Sequence, residues 1–425
     1  MKKINIAIVG VGSCASALVQ GVEFYSNTLE SVGLMYADIG GYTPIDINFI
    51  VGFDIDSRKV NKKISEAIYE SPNCNMAVIP KGSKFTQISE DAIVYRGPTL
   101  DGIAEHMLDI DKSISFDESA EKEIDAKKYQ EILKSNNVDV ILNYVPVGAE
   151  NAAKFYIENA VLAGVSVVNC MPSYISTDNM KSLEGLAIKN NVTIIGNDMK
   201  SAYGASRLSE VLQGSMMDSG LMVTQHIQMN MAAGTTQGEE SIANGRTANT
   251  DFLNMADESR LYNKKISKEN VLTGQITTRN GSAKGMTMFA GPSLTVMQRP
   301  GGDYKATDNK ICNIDMVAYG FAGARYELTC RLSVQDSPNS GGIVVDAIRF
   351  CKVAREMNIV GYLRGPSAWT QKTPPVDMIT SDAKFECDAM ARREYTKITL
   401  KQKRENIDIT NLEYSNHNST TEYEN

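Results

Sequence analysis

Between Ile4 and Val9 nearly every position is apolar, and the run stops at Gly10. An unbroken short run suits a strand covered on both faces, as in a parallel sheet. Leu18, Val19, Val22 and Tyr25 then recur at helical spacing, so strand, glycine turn and helix follow one another. The pattern predicts further strands over Ile47 to Phe53, Val138 to Val145, Val165 to Cys170 and Val192 to Gly196, separated by helical stretches such as Ala149 to Ala163. Strands and helices alternating in this way predict an α/β fold with a doubly wound parallel sheet. After residue 200 the runs lengthen and alternate, over Thr224 to Met231, Lys310 to Tyr319 and Arg325 to Gln335, which predicts a second, sheet-rich α+β domain. Asp336 to Gly342 reads as a turn, and Ile343, Val344, Ala347 and Ile348 as an amphipathic helix returning to the first domain. The expected division is therefore 1–200 with 336–385, then 201–335, and a polar tail over 386–425.

The first strand, turn and helix carry chemistry. Gly10-Val-Gly12-Ser13-Cys14-Ala15 has the form of a dinucleotide-binding turn. Gly10 permits the bend, Gly12 lets a pyrophosphate approach the backbone, and Ala15 stands where a third glycine packs helix on strand. The helix N-terminus offers amide donors to the phosphates. Alone, the pattern also fits an ordinary glycine-rich turn. Asp54, ending the second strand, is placed to hold adenosine ribose hydroxyls, or alternatively to cap a helix. About twenty residues normally separate glycines and acid, so Ser26 to Pro44 is expected to form an insertion.

Lys264 and Lys268 share one helix face at a spacing of four. Read alone, such a pair is a solvated charged face. Only three histidines occur, so lysines, carboxylates and backbone groups have to carry any chemistry. With 43 basic and 51 acidic residues the net charge is −8, which argues against nonspecific nucleic-acid binding or attraction to anionic lipid. The chain is 425 residues long and 42% hydrophobic, and no apolar run approaches a bilayer span. Seven scattered cysteines with no paired spacing, and no signal-peptide pattern, lead to the expectation of a cytoplasmic protein with reduced thiols. No metal ligands can be assigned; a divalent cation is considered only as an additional cofactor.

Seven motifs in order resemble the myo-inositol-1-phosphate synthases of the archaeal and bacterial type. They are Ala7 to Gly21, Arg96-Gly-Pro-Thr-Leu-Asp-Gly102, Tyr144-Val-Pro-Val-Gly148, Asn197-Asp-Met-Lys-Ser201, Asp251-Phe-Leu-Asn-Met255, Lys264-Lys-Ile-Ser-Lys268 and Asp336-Ser-Pro-Asn-Ser340. The resemblance implies a split Rossmann-type NAD-binding domain, a central domain used for oligomerisation as a homotetramer, and NAD as cofactor. It also implies conversion of glucose 6-phosphate to inositol phosphate by C5 oxidation, enolisation, aldol closure and re-reduction.

Carried over by position, Lys268 and Lys310 would stabilise oxyanions or move protons, and Lys264 and Lys372 would hold a phosphate or carbonyl oxygen. Asp198 and Asp251 match acids beside the nicotinamide and the substrate. Gly10, Gly12, Ser13, Cys14, Ala15, Asp54, Pro146, Asp198, Ser337 and Asn339 would serve the cofactor. Lys200, Ser201, Gly204, Ser206, Asn249 and Leu253 would serve the sugar phosphate. This chain departs from the family in the insertion over 232–248, in Leu294 where an acid is common, and in Ala248 in place of glycine. A cyclase of another sugar phosphate, an NAD-linked sugar-phosphate dehydrogenase and a noncatalytic NAD-binding scaffold stay open beside that reading.

Overall fold

A computed structural model of the chain describes residues 3–28, 31–112, 115–232, 258–278, 287–290 and 308–395. The first half alternates as the apolar pattern requires. β1 (Ile4–Val9), α1 (Ser13–Ser26), β2 (Ile47–Asp54), α2 (Ile64–Ala67) and β3 (Val94–Arg96) lead to α3 (Ala126–Ser135), β4 (Val140–Asn143), α4 (Glu150–Leu162), β5 (Ser166–Asn169), α5 (Thr177–Lys189) and β6 (Thr193–Ile195). Successive side chains of a strand point to opposite faces, and β1 uses both. Ile4, Ile6 and Ile8 enter one core with α1, while Ala7 and Val9 enter another with α3 and α4. Coverage on both sides explains why the run is apolar without alternation.

The central part begins with α6 (Ala205–Asp218) and β7 (Met222–Ala232), followed by α7 (Glu258–Thr278), β8 (Thr287–Ala290), β9 (Asn309–Tyr319) and β10 (Arg325–Gln335). These strands form a sheet in the order β10-β9-β7-β8, with β9 antiparallel to both neighbours and β8 parallel to β7. α6 covers one face, packing Leu208 against Val223, Ile314 and Met316.

The chain then returns through α8 (Asp336–Glu356), β11 (Gly361–Tyr362), α9 (Arg364–Thr370) and α10 (Thr380–Ala391). β11 pairs in parallel with β6, giving the seven-stranded order β11-β6-β5-β4-β1-β2-β3. The order reverses direction between β1 and β4, where a ligand crevice is expected in such sheets.

Two expectations are corrected. The segment from Asp336 is helix from its first residue and not a turn. Its glycines serve close packing, since a Cβ on Gly342 would lie 2.4 Å from the Gly33 carbonyl oxygen. The boundary expected at 386 falls inside α10, whose Cys387 and Met390 are buried with Tyr395 beyond it, so the polar reading holds for none of these. The inserted segment after α1 wraps onto α8, where buried Arg349 donates to the carbonyls of Tyr36, Ala37 and Tyr42. Among the described residues no helix is long and apolar enough to cross a membrane.

Candidate active site

The turn after β1 is held from three sides. Gly10 has φ +86°, and a Cβ there would stand 2.7 Å from the Tyr144 carbonyl oxygen, so only glycine fits. Its N–H donates to Phe53 O at 2.8 Å, and the Val11 N–H donates to Asp54 Oδ2 at 2.7 Å. Asp54 thus braces the turn as well as lining the cavity above it, and it also accepts from the amides of Ile55 and Asp56. Among the described residues no atom lies within 4 Å of a Cβ built on Gly12, which leaves the backbone open on that side. α1 starts there with no side-chain cap and no acid in its first turn. An open glycine at an uncapped helix N-terminus fits a pyrophosphate. Ser13, Cys14, Ala15, Pro146 and Ser337 line the same cavity.

Four lysines from three separate parts of the chain line it too. Lys264 and Lys268 project from α7, Lys310 from β9, and Lys372 from the loop after α9. α7 is docked tightly, because a Cβ on Gly148 would lie 2.5 Å from Arg260 Cβ, and Asn263 donates to Glu150 Oε1 at 2.7 Å. Lys372 is delivered by a backbone zipper. Thr373 and Asn197 exchange N–H···O bonds of 3.0 and 2.9 Å, and Lys372 N donates to Asp198 O at 2.7 Å.

Asp198 sits at the hub of this cluster, at φ +61° just beyond β6. Its carboxylate receives Lys372 Nζ at 2.9 Å and Ser267 Oγ at 2.6 Å, with Lys264 Nζ at 3.6 Å. The loop carrying it is held by a row of buried asparagines at the strand ends, Asn143 donating to Asn169 and Asn169 to Asn197, each at 2.9 Å. Burial alone would raise the Asp198 pKa, but Lys264 and Lys372 outweigh it and hold the acid below the usual carboxylate range. Burial, against the pull of Asp198, brings Lys372 down to about 8. Lys268 is driven well below an ordinary lysine, first by burial and then by Lys310, Lys264 and Lys372. Lys310 pairs with Asp336.

Ser201, Gly204 and Ser206 lie at the other end, around the start of α6. Gly204 is required by close approach, since a Cβ there would meet Ser201 Cβ at 2.7 Å. Two expected residues are elsewhere. Lys200 is buried away from the cavity, its Nζ donating to Glu210 Oε1 at 2.5 Å and Ala368 O at 2.7 Å, and Arg207 completes the bridge at 3.0 Å. A buried ammonium needs such partners, so Lys200 joins α6 to α9 and does not face a substrate. Asn339 brackets Tyr203 through its N–H and carbonyl, again as a loop brace. Asp251, Leu253, Asn249 and the insertion from residue 233 to 248 lie outside the described residues.

Sequence reading missed several cavity residues: Lys59, whose Nζ donates to Pro72 O at 3.1 Å, Asp336 opposite Lys310, and Gln228 and Asn230 on β7. It also missed Asp308, which accepts from Ser337 N at 3.2 Å and Ser337 Oγ at 2.6 Å and is pushed up to about 7 by burial and by Asp336. The alternation of Gln228 and Asn230 with apolar residues on a strand whose partner face is apolar was a usable signal, and Asp336 opens the motif Asp336 to Ser340; nothing local marks Lys59 or Asp308.

The model of the family described as myo-inositol-1-phosphate synthase matches residues 204–337. Inositol-3-phosphate synthase of Mycolicibacterium smegmatis is 35% identical over 396 residues, covering 91% of this chain and 97% of that protein. The protein of the same name from Corynebacterium glutamicum is 33% identical over 91% of this chain and 97% of its own length. A myo-inositol-1-phosphate synthase-related protein from Thermotoga maritima shares the fold, with a TM-score of 0.71 at 21% identity over 93% of this chain and all of that one.

Proposed function

Because the chain belongs to the myo-inositol-1-phosphate synthase family, a family of enzymes, we propose that its cavity holds NAD beside a sugar phosphate and converts D-glucose 6-phosphate to 1L-myo-inositol 1-phosphate. The observation that carries this reading is the meeting of four lysines with Asp198 in the crevice that the glycine turn opens. NAD, when bound, would supply a reversible hydride acceptor for C5, giving a reaction with no net redox change. Gly12, Ser13 and the start of α1 would hold its pyrophosphate, and Ser337 would stand near the nicotinamide end.

The remaining work falls to the protein's own groups. A carbonyl at C5 acidifies the C6 hydrogens, and a lysine can take one only in its neutral form. Lys268 is suited to this, because burial and its cationic neighbours disfavour its charged form. The proton it takes from C6 is available for the C1 oxygen once the enolate carbon has attacked the C1 aldehyde and closed the ring. Lys310, paired with Asp336, serves as a fixed cation for the enolate oxygen. Lys264 and Lys372, both tied to Asp198, keep a set orientation towards the carbonyl or phosphate oxygens. The uncapped start of α6 with Ser201, Gly204 and Ser206 receives the phosphate. Among the described residues no three His, Cys, Asp or Glu side chains gather to hold a metal, and no step here is assigned to a divalent cation.

We divide the chain into a split dinucleotide domain over 1–200 and from 336 through the end of α10, and a central domain over 201–335, the latter joining copies into a homotetramer. The face of the central sheet that no described residue covers supports that assembly, since Met229 on it is 49% exposed while the opposite face packs on α6.

Incubation with glucose 6-phosphate and NAD, with inositol phosphate measured by chromatography alongside NADH absorbance, tests the reading. Product without accumulating NADH is expected. NADH rising in step with turnover would mean a dehydrogenase instead, and no consumption of any kind a binding scaffold. Lys268→Ala is expected to abolish cyclisation and leave NAD affinity nearly unchanged; loss of NAD binding would overturn its assignment.

A further inference from the structure

Resting on the reading above, we infer that Gln228 is a substrate-binding residue whose amide N–H groups hold an oxygen of the sugar phosphate, and that His226 and Ser209 are positioning residues that set the direction of that amide. β7 turns His226, Gln228 and Asn230 towards α6, and all three are buried, on a face whose β9 partners are Met316, Ile314 and Cys312. Polar side chains sealed among apolar ones need partners. Ser209 of α6 supplies one to each of the first two, with its Oγ donating to Gln228 Oε1 at 2.8 Å and lying 3.1 Å from His226 Nε2.

The direction of this chain follows from counting protons. A hydroxyl has one proton to give. Spent on Gln228 Oε1, it leaves Ser209 Oγ to accept from a protonated His226 Nε2, and His226 Nδ1 is then a bare lone pair. The reverse direction would place an N–H at Nδ1, which is buried with no partner among the described residues. Orphaned N–H groups are the rarer defect, so the first arrangement prevails. Burial lowers the His226 pKa to about 4, so the ring stays neutral and the relay does not reverse near neutral pH.

The carbonyl end of Gln228 is therefore occupied, and its amide nitrogen donates to none of the described residues. Gln228 nevertheless lines the cavity, together with Ser206 and Asn230. It lies opposite Ile314, four residues along β7 from the position opposite Lys310, so the lysine cluster and this amide address different ends of one ligand. Two N–H donors aimed into a cavity recognise acceptor oxygens; phosphoryl and sugar hydroxyl oxygens share that chemistry.

The test is binding of glucose 6-phosphate and of inorganic phosphate to the NAD-loaded protein by calorimetry, together with steady-state kinetics, for wild type, Gln228→Leu, Gln228→Glu and Ser209→Ala. Loss of one such hydrogen bond should raise KM for glucose 6-phosphate about tenfold with kcat within about twofold. Gln228→Glu should be worse, because a carboxylate repels phosphate, and Ser209→Ala should fall between wild type and Gln228→Leu. NAD affinity should stay the same throughout. Weakened binding of both ligands assigns the contact to a phosphoryl oxygen, and weakened binding of glucose 6-phosphate alone to a hydroxyl. Unchanged binding of both ligands by folded Gln228→Leu or Gln228→Glu overturns the inference, as does a kcat loss at constant KM. Failure of the wild type to turn over glucose 6-phosphate would instead sink the functional reading, and the binding comparison stands apart from it.

Discussion

Asp308 shows how one side chain can report on its surroundings. It joins the start of α8 to the strand that carries Lys310, and burial with Asp336 nearby raises its pKa to about 7 from an ordinary 3.8. A folded-state pKa above the unfolded one gives stability that is complete below the unfolded value and lost as pH rises through the folded one. Asp308→Asn keeps an acceptor for Ser337 and removes that loss. Its melting temperature should match wild type near pH 4 and exceed it by about 2–4 °C above pH 7, measured by calorimetric scans across pH. A constant difference would show that the carboxyl does not titrate as described. The lysines act in the opposite sense: with Lys268 driven down, the neutral base fraction grows with pH, so kcat/KM should climb with pH well below the range in which an ordinary lysine loses its proton. A flat profile below that range would remove Lys268 as the base.

Single turns and helices transmit these effects. Gly10→Ala would combine φ +86° with a Cβ 2.7 Å from the Tyr144 carbonyl, so the turn should shift off the end of β1. The expected result is NAD affinity at least about tenfold lower by fluorescence titration, with a lowered melting temperature. α8 depends similarly on Arg349, which is fully buried, pairs with Asp346 and holds three carbonyls of the segment after α1. Arg349→Met leaves an uncompensated acid in the core and should cost about 3–5 kcal/mol in urea unfolding. Adding Asp346→Leu should recover part of it, because removing both charges is far less harmful than removing one. If the double variant is no better than the single one, the segment's carbonyls and not the ion pair dominate.

At the scale of the whole molecule, the described residues cover the central sheet on one side only. Met229 and Tyr319 stand exposed on its strands, and the long edge strand β10 is exposed or half-exposed along its length. An exposed sheet edge and apolar face of this kind invite association. Sedimentation velocity should give a tetramer, and Met229→Asp with Val317→Asp should yield smaller species that retain the fold by circular dichroism. An unchanged tetramer would move the interface elsewhere.

The alternating apolar runs determined the doubly wound sheet, because strand burial on two faces and the glycine turn are local demands that leave local patterns. Five of the seven parallel strands, β1, β2, β4, β5 and β6, and β10 over Arg325–Gln335 follow from those runs, whereas the short β3 and β11 left no run of their own. The lysine candidates were also legible, through residue type and a family resemblance. What sequence could not decide was which polar groups meet. Lys200 and Lys372 are both lysines near the same loop in space, yet one is consumed by Glu210 while the other reaches Asp198 across 174 positions of chain. The Ser209–Gln228 contact and the return of α10 into the core are likewise products of tertiary packing. Hydrogen bonds and ion pairs between distant segments depend on geometry a few ångströms fine, and that geometry exists only once the sheets and helices have closed on one another.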